Sequence, residues 1–351
     1  MKPRIGILFG GRSSEYDVSL HSAAAVLSHI DTSRYTPVCI GITRKGAWYL
    51  YEGPVQDIES DAWHTQSCTP ALLSPDTDTH GLRVQRIGGV QTIRLDAAFP
   101  IVHGRNGEDG TIQGLLELAG IPIVGCGALC SAVCMDKEYT HLLAHAAGVE
   151  TPRSVTLYAY EDPRNALTYA QAFSYPLFVK PARAGSSFGI TRVTQAEQLP
   201  KALANAFLHD DKLLIEEGVD GVEIGCAVLG LPDRPVIAEL DEIALCGEFF
   251  DYEEKYTLKT SHIHVPARLP DITAARAKRI AKTLYQKLGC RGLARIDLFV
   301  TQEGAILLNE INTIPGFTAH SRYPHMFQAS GVPFDSLIDL LITQALEETR
   351  A

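Results

Sequence analysis

The stretch ARIDLFVTQEGAILLNEINTIPG, residues 294–316, contains two apolar runs separated by the polar residues TQEG. Two such runs around a short polar turn predict a β-hairpin. Because side chains alternate along a strand, Arg295 and Asp297 share one face of the first strand, and Glu310 and Asn312 share one face of the second. With a two-residue tip, we expect Arg295 opposite Glu310 and all four side chains on one face, an arrangement that a one-residue slip would break.

These four side chains would form a metal site. Two carboxylates and an amide oxygen are the ligands that suit Mg²⁺ held together with substrate phosphates. A neighbouring arginine would stabilise charge that develops on a transferred phosphoryl group. The alternative is a solvated outer face of the hairpin, but the strands are otherwise apolar, so polar residues there are costly unless they are used.

A second candidate segment is FVKPARAGSSFG, residues 178–189. Lys180 at the end of an apolar strand can contact a phosphate, and the following loop offers backbone N–H groups and hydroxyls. Lys137 in CMDKEYT and the acidic pair Glu216-Glu217 are further candidates. Each is weak alone, since a surface turn, a helix surface and a charged strand edge would explain them equally well.

The N-terminal part of the chain predicts an open α/β domain. The run RIGILF ends at Gly10-Gly11 and leads into the helical pattern VSLHSAAAVLSHI, and DAAFPIV leads through HGRNGEDG into the helical pattern TIQGLLELAG. Neither turn matches GxGxxG or GxxxxGK[ST], so a dinucleotide fold or a Walker P-loop is not supported. Further on, we expect Ser131 to cap a helix that continues to Ala147.

Composition limits the class of protein. The chain has 351 residues, with Lys+Arg 31 against Asp+Glu 41 and a net charge of −10, which disfavours nucleic acid as a partner. It has no apolar run of the roughly 20 residues that span a bilayer and no signal sequence, so we expect a cytoplasmic protein without a membrane partner. The eight cysteines are then expected to be reduced. Cys126, Cys130 and Cys134 are four apart, but glycines flank the first and no fourth ligand of matching spacing follows, so small buried residues are favoured over a metal site.

The order of the motifs resembles a known family. MDK, FVKP with GSSFG, LLIEEGVDGVEIG, DYEEKY, RIDLF and NEINTIPGFT are similar to the ATP-grasp fold. With GGRSSEYDVSLHSA and HGRNGEDG in front of them, the chain resembles the D-alanine:D-alanine ligase family over nearly its whole length. NTIPGFTAHSRYP and FFDYEEKYTLKTS are similar to the vancomycin-resistance branch, and within it to the D-alanine:D-serine ligases.

The resemblance implies an α/β fold class, with an N-terminal open α/β domain followed by a two-lobed ATP-grasp fold. The expected domains are an N-terminal substrate domain over residues 1–125, a central ATP-grasp lobe over 126–215 and a C-terminal lobe over 216–351. The last contains a lid at about 248–264 and the metal-binding hairpin. A homodimer through the N-terminal domain is also implied.

The resemblance further implies a role for each matching residue. The residues implied to act in catalysis are Glu15, Ser186, Tyr256, Arg295 and the backbone N–H of Gly316. Those implied to bind ATP are Lys137, Lys180, Ser187, Glu216, Glu217, Glu223 and Lys255. Those implied to hold two Mg²⁺ ions, which Mn²⁺ could replace, are Asp297, Glu310 and Asn312. Those implied to contact the amino-acid substrates are His103, Ser321, Arg322 and Phe250.

The expected activity is an ATP-dependent ligation of D-alanine to a second D-amino acid through a D-alanyl phosphate, for peptidoglycan precursors. Arg322 and Phe250 favour D-serine as the second substrate, ahead of D-alanine, with D-lactate a distant third. Another ATP-grasp carboxylate–amine ligase would be expected to lack Glu15 and the HGRNGEDG loop. A non-catalytic nucleotide-binding protein would be expected to have lost Arg295, Asp297 or Glu310, all of which are present.

Overall fold

The computed structural model of the protein describes residues 1–245 and 261–348. Phe250, Lys255 and Tyr256 lie outside these ranges, as does most of the expected lid segment. Within the described ranges, no helix is long and apolar enough to span a bilayer.

The N-terminal region contains a seven-stranded sheet with strand order β6-β5-β4-β3-β2-β1-β7. Its strands are β1 (Arg4–Gly10), β2 (Thr36–Ile42), β3 (Trp48–Tyr51), β4 (Cys68–Leu73), β5 (Gly81–Arg86), β6 (Gly89–Arg94) and β7 (Ala97–Pro100). The helices are α1 (Tyr16–His29), α2 (Val55–Glu59) and α3 (Thr111–Leu118). β1 pairs in parallel with both β2 and β7. The segments that follow β1 and β7 therefore leave from the same edge of the sheet, which brings Glu15 and His103 together.

Two antiparallel sheets follow in the described part of the remaining chain. The four-stranded sheet has the order β10-β9-β11-β8, and the five-stranded sheet has the order β14-β13-β12-β15-β16. The strands of the first are β8 (Ser154–Tyr158), β9 (Leu177–Pro181), β10 (Thr191–Val193) and β11 (Lys212–Glu217). Those of the second are β12 (Gly221–Gly230), β13 (Val236–Leu245), β14 (Ser261–His264), β15 (Gly292–Thr301) and β16 (Ile306–Asn312).

Seven helices of the described chain accompany these two sheets. They are α4 (Ala128–Met135), α5 (Lys137–Ala146), α6 (Asn165–Ala170), α7 (Leu199–Ala206), α8 (Asp271–Lys287), α9 (Arg322–Ala329) and α10 (Phe334–Glu348). The sheets occupy residues 4–100, 154–217 and 221–312, so the expected boundary between residues 215 and 216 falls inside β11, and the division into three domains remains a proposal.

The expected single helix from Ser131 to Ala147 is wrong. Ser131 lies buried inside α4. The helical conformation is interrupted at Asp136, whose side chain accepts a hydrogen bond from the backbone N–H of Tyr139 and so caps α5. Asp136 is a better N-cap than its apolar neighbours because its carboxylate satisfies an orphan N–H group of the first turn. The break makes Lys137 the first residue of α5.

The segment that leaves the hairpin is anchored against the N-terminal sheet. Phe317 is 1% exposed and packs edge-to-face on Phe99, with ring centroids 5.6 Å apart. α10 packs into the same core through residues such as Leu341, and the hydroxyl of Tyr35 donates to the carboxylate of Asp339 on α10 at 2.8 Å. This packing places the backbone before Phe317 beside the loops that follow β1 and β7.

Candidate active site

The hairpin forms, but its pairing differs from the expected one. Arg295 lies opposite Asn312, and Asp297 lies opposite Glu310. The tip is longer than expected, since Val300 pairs with Ile306. That change alone would place Glu310 on the wrong face of β16, because side chains alternate.

A β-bulge restores the common face. Leu298 pairs with Leu308, whereas Asp297 pairs with Glu310, so Asn309 is the extra residue on β16. The carbonyl oxygen of Asn309 lies 3.3 Å from Nε2 of the buried His141 on α5. The bulge moves Glu310 opposite Asp297. The ring of His141 provides a hydrogen-bond partner for the carbonyl of Asn309, which the bulge takes out of the strand pairing.

Asp297 lies at the centre of the polar face of the hairpin. Its carboxylate is 1% exposed and accepts hydrogen bonds from Nε and Nη2 of Arg295, the shortest at 2.7 Å. The side-chain amide of Asn312 donates to Oδ2 of Asp297 at 2.9 Å, so the oxygen of that amide remains for another ligand. The expected grouping of Arg295, Asp297 and Asn312 is therefore present in the structure.

Arg322 is held by a residue that the sequence analysis did not identify. Its Nε and Nη2 atoms donate to the two carboxylate oxygens of Asp241, each at 2.7 Å. Asp241 is fully buried, and burial would raise the pKa of its carboxyl, but Arg322 outweighs this effect and the pKa is lowered. A Cβ on Gly225 would lie 2.4 Å from Oδ1 of Asp241, so a larger residue at this position would displace the pair.

Asp241 was missed because it is one of three carboxylates in the strand VIAELDEIAL, together with Glu239 and Glu242, and nothing in the sequence separates it from ordinary charged strand residues. The signal that could have identified it is its position on the face opposite to Glu242. Glu242 pairs with the exposed Arg268 at 2.6 Å, whereas Asp241 faces the hairpin. Nη2 of Arg322 also lies 3.5 Å from Oδ1 of Asp297, so Asp241 and Asp297 flank one guanidinium group.

The two predicted phosphate-binding lysines lie between the two antiparallel sheets. Nζ of Lys137 lies 3.4 Å from Oε2 of Glu310 and donates to the carbonyl oxygen of Ala184 at 3.0 Å. Nζ of Lys180 donates to Oε1 of the buried Glu216 at 2.6 Å. Each lysine is thus desolvated and fixed by a carboxylate, so both are positioned without the freedom of a surface lysine.

The acidic residues of β11 and β12 separate into different environments. Glu217 accepts from the backbone N–H of Ser174 at 2.8 Å and from Arg153 at 3.2 Å, so its side chain is not brought together with that of Glu216. Consecutive residues of a strand face opposite sides, which explains the difference. Glu223 lies near the hairpin, with its Oε1 3.6 Å from Nη1 of Arg322.

Glu15 connects the N-terminal sheet to the glycine-rich loop after β9. Its carboxylate is 6% exposed and accepts a hydrogen bond from the hydroxyl of Ser186. A Cβ on Gly104 would lie 2.4 Å from Oε2 of Glu15, and one on Gly185 would lie 2.9 Å from it. Gly104 has φ +69°, so glycine is required there for its backbone as well as for space. Ser187 follows Ser186 with φ 59°.

His103 ties the N-terminal loops to the end of the hairpin. Its Nδ1 donates to the carbonyl oxygen of Ile314 at 3.0 Å, and its Nε2 lies 3.3 Å from the hydroxyl of Ser22. Burial would lower the pKa of His103, but the carboxylates of Glu108 and Glu15 outweigh burial and raise it. His103 therefore positions the segment that contains Gly316.

Part of the predicted site surrounds one cavity with a volume of about 270 Å³, whereas Asp297, Lys137, Lys180 and Glu216 do not line it. Ser321 lies on its wall at the N-cap of α9, where its hydroxyl accepts from the backbone N–H of Thr318 at 3.0 Å. The predicted site residues that line the cavity are Glu15, His103, Ser186, Arg295, Asn312, Gly316, Ser321 and Arg322. Phe250, Lys255 and Tyr256 lie outside the described residues.

The donor atoms fit a divalent ion and a nucleotide. Asp297, Glu310 and Asn312 offer oxygen ligands on one face, which is the chemistry that Mg²⁺ prefers. Oε2 of Glu216 is buried and has no hydrogen-bond donor among the described residues, which fits a carboxylate that accepts a donor from a bound nucleotide. Lys137 contacts Glu310 of the hairpin, and Lys180 contacts Glu216 of β11.

One antiparallel sheet contains the Lys180–Glu216 pair, and the other contains the oxygen-ligand hairpin that Lys137 contacts. Together with the N-terminal α/β region, these two sheets define an ATP-grasp enzyme. The sequence matches the family model described as D-ala D-ala ligase N-terminus over residues 4–126 and the model described as D-ala D-ala ligase C-terminus over residues 143–343. The chain belongs to the D-alanine–D-alanine ligase family. The ligases of this family are ATP-dependent and use Mg²⁺.

Similar proteins cover nearly the whole chain. The vancomycin B-type resistance protein VanB of Enterococcus faecalis is 45% identical over 350 residues, which are 99% of this chain and 99% of VanB. A putative D-alanine–D-lactate ligase of Streptomyces coelicolor is 44% identical over 98% of this chain and 97% of that ligase. The crystal structure of VanG D-Ala:D-Ser ligase from Enterococcus faecalis has a TM-score of 0.90 and 45% identity, and the match covers 98% of this chain and 100% of VanG.

Proposed function

We propose that this enzyme joins D-alanine to D-serine at the expense of ATP, with D-alanyl phosphate as the intermediate, for peptidoglycan precursor synthesis. The observation that carries the choice of D-serine is the buried pair of Arg322 and Asp241 at the cavity wall. We also propose that the enzyme is a homodimer.

The first step activates a carboxylate that is a poor electrophile at neutral pH. A carboxylate oxygen of D-alanine attacks the γ-phosphorus of ATP, and ADP leaves with the electron pair of the broken P–O bond. Glu15 would pair with the ammonium group of D-alanine, while Lys137 and Lys180 would neutralise charge on the phosphoryl groups. Mg²⁺ held by Asp297, Glu310 and Asn312 would neutralise further phosphate charge when bound.

The second step forms the peptide bond. The amine of the second substrate, after losing a proton, attacks the acyl carbon, and inorganic phosphate leaves with the electron pair of the C–O bond. Arg295 and the backbone N–H of Gly316 would stabilise the oxyanion of the tetrahedral intermediate, an effect of roughly 3 kcal/mol for one donor in comparable sites. Exclusion of water would protect the acyl phosphate from hydrolysis.

The second substrate must be recognised by one small group. D-Serine differs from D-alanine by a hydroxyl, and a site that bonds a hydroxyl can discriminate against the analogue without it. Asp241 accepts from Nε and Nη2 of Arg322, while Nη1 lies 3.6 Å from Glu223 and Nη2 lies 3.5 Å from Asp297, so the direction of the guanidinium group at the cavity wall is fixed. A fixed donor in a small cavity supports D-serine better than an adaptable surface arginine would.

The test offers D-alanine together with D-serine, with ATP and Mg²⁺, and identifies the dipeptides by mass at neutral and alkaline pH. We expect the mixed dipeptide to dominate at neutral pH. Replacement Arg322→Leu should lower kcat/KM for D-serine by roughly tenfold to hundredfold, because one hydrogen bond from a charged donor is lost, and should affect D-alanine less.

The matched control is Arg268→Leu. Arg268 also pairs with a carboxylate of β13, Glu242, but at the surface and away from the cavity. It should leave the product ratio unchanged. A trace of mixed dipeptide at every pH would refute D-serine as the second substrate, and D-alanyl-D-alanine as the dominant product would instead establish a D-alanine–D-alanine ligase.

A further inference from the structure

Four cysteine side chains that the ligase site does not use meet in the interior beside α4. Cys130 and Cys134 lie one turn apart on α4, Cys126 precedes α4, and Cys290 precedes β15. None of the four is more than 5% exposed. Sγ of Cys130 lies 3.5 Å from Sγ of Cys290 and 3.9 Å from Sγ of Cys134. Cys290 is the further sulfur that spacing along the sequence did not provide, because the tertiary fold brings it from a distant segment.

We propose that Cys126, Cys130 and Cys290 form a binding site for one thiophilic metal ion of the Zn²⁺ class. The three sulfur atoms lie within 4.8 Å of one another. Two thiolates at about 2.3 Å from a tetrahedral Zn²⁺ are about 3.8 Å apart, close to the separations around Cys130. A disulfide requires about 2.05 Å between sulfurs, so the observed spacing suits a shared ion better than a bond between two cysteines.

The cluster differs chemically from an ordinary buried cysteine. Cys226, which stands apart from the cluster on β12, shows the usual effect, since burial raises the pKa of its thiol. Sγ of Cys130, by contrast, has the sulfur atoms of Cys290 and Cys134 as neighbours, at 3.5 Å and 3.9 Å. A bound ion would take such neighbouring thiols as thiolates and release their protons.

Charge and ligand type select the ion. Three thiolates leave a net charge of −1 around Zn²⁺ but −2 around Cu⁺, and buried net charge is costly, so the divalent ion is favoured. Mg²⁺ prefers oxygen ligands, so the hairpin site and the cysteine site would take different ions. A bound ion would connect the start of α4 to the start of β15, and would stabilise the folded chain by mass action.

The experiment uses the full chain, reduced, freed of metal with a chelator and then desalted. Cd²⁺ is added in excess Mg²⁺, so that the oxygen-ligand site is occupied, and the ultraviolet charge-transfer band of cadmium thiolate is recorded. We expect the band to saturate at one equivalent of Cd²⁺, and Zn²⁺ to displace it while raising Tm. Cys130→Ser and Cys290→Ser should each lose the band, whereas the matched buried control Cys226→Ser should keep it.

Circular dichroism establishes that each variant is folded, and native mass spectrometry of the wild type after Zn²⁺ addition gives an independent count of bound ions if one variant fails to fold. Absence of the cadmium band from the wild type would overturn the proposal. A band that survives in Cys290→Ser would do the same. Peptide mapping that finds a disulfide between Cys130 and Cys290, in place of bound metal, would also contradict it.

Discussion

The pair of Asp241 and Arg322 shows how single residues define the cavity wall. A buried bidentate carboxylate–guanidinium pair is strong and directional, but it depends on the exact space around it. Gly225 on the neighbouring strand provides that space and donates its backbone N–H to Oδ1 of Asp241 at 2.7 Å. Selectivity for the second substrate would therefore depend on a glycine that carries no chemistry of its own.

Gly225→Ala tests this dependence without changing any charge. The added Cβ would lie 2.4 Å from Oδ1 of Asp241 and 2.6 Å from Nη2 of Arg322, so we expect the pair to shift. Overpacking of this kind costs about 1–3 kcal/mol in unfolding free energy. In the competition assay, the ratio of D-alanyl-D-serine to D-alanyl-D-alanine should fall.

Gly114→Ala is the control for this variant, because a Cβ there meets only Ala128 at an ordinary 3.9 Å. It should leave the product ratio unchanged, and it should raise the free energy of unfolding by about 0.5–1 kcal/mol because Gly114 lies inside α3. An unchanged product ratio in Gly225→Ala would show that the direction of Arg322 does not decide the second substrate.

At the scale of elements, the hairpin depends on its bulge. The longer tip and the extra residue Asn309 offset each other, so that Glu310 returns to the face of Asp297. His141 on α5 contacts the carbonyl of the bulged residue, and Lys137 on the same helix contacts Glu310. α5 therefore supports β16, which contains the proposed metal ligands Glu310 and Asn312, at two positions one turn apart.

His141→Ala should leave the partly buried carbonyl of Asn309 without its donor, at a cost of about 1 kcal/mol in unfolding free energy. It should also raise the Mg²⁺ concentration required for half-maximal ATP turnover, because Glu310 follows the bulge. His141→Gln, which retains a donor, should restore much of both properties. The control is His145→Ala, one turn further on α5, where the ring contacts only the exposed Thr151 hydroxyl among the described residues. An unchanged Mg²⁺ requirement in His141→Ala would exclude this supporting role.

The same residue gives a pH dependence with a definite sign. Burial lowers the pKa of His141 to about 4, with Glu216 opposing the effect and Lys180 and Lys137 adding to it. In the unfolded chain the pKa is about 6.5, so the unfolded state binds a proton first as pH falls. The contribution that neutral His141 makes to stability is therefore fully present above about pH 6.5 and is lost as pH falls towards 4. When pH is lowered from 7 to 5, the free energy of unfolding, measured with denaturant, should fall by about 2 kcal/mol more for the wild type than for His141→Gln.

At the scale of the whole molecule, the site is an assembly of distant segments. Glu15 comes from the N-terminal sheet, Lys180 and Ser186 from the four-stranded sheet and its loop, and Asp297 from the five-stranded sheet. Contacts such as that of Ser186 with Glu15 join these parts. The net charge of −10 gives no indication of this local concentration of lysines and arginines.

Mg²⁺ with a non-hydrolysable ATP analogue should therefore stabilise the whole chain. A ligand at 100 times its Kd adds about 2.7 kcal/mol, which corresponds to a rise in Tm of roughly 4 °C for a protein of this size. Asp297→Asn should lose the Mg²⁺-dependent part of this rise and should abolish phosphate release. Glu242→Gln, on the face of β13 opposite to Asp241, should retain both, since Glu242 pairs with the exposed Arg268 and does not line the cavity. Full Mg²⁺-dependent stabilisation in Asp297→Asn would contradict the metal assignment.

The sequence by itself determined the family, the fold class and the residue types of the hairpin. Motif order and strand alternation are local properties, so the polar face of residues 295–312 could be predicted although its pairing could not. The expected strand partner of Arg295 was wrong because turn length and bulges depend on tertiary contacts, such as that of His141 with the carbonyl of Asn309. The alternation of side chains along a strand does not encode these contacts. The helix break at Asp136 was missed for a related reason, since a capping side chain interrupts an otherwise continuous apolar pattern.

Only the tertiary structure decided which residues become partners. Asp241 acquires its role because β12 and β13 place it opposite Arg322, and Cys290 joins the cysteines of α4 because β15 begins beside that helix. Both contacts join residues more than 80 positions apart. Packing between layers determines such long-range contacts, and a sequence pattern that repeats every two or four residues carries no information about that packing.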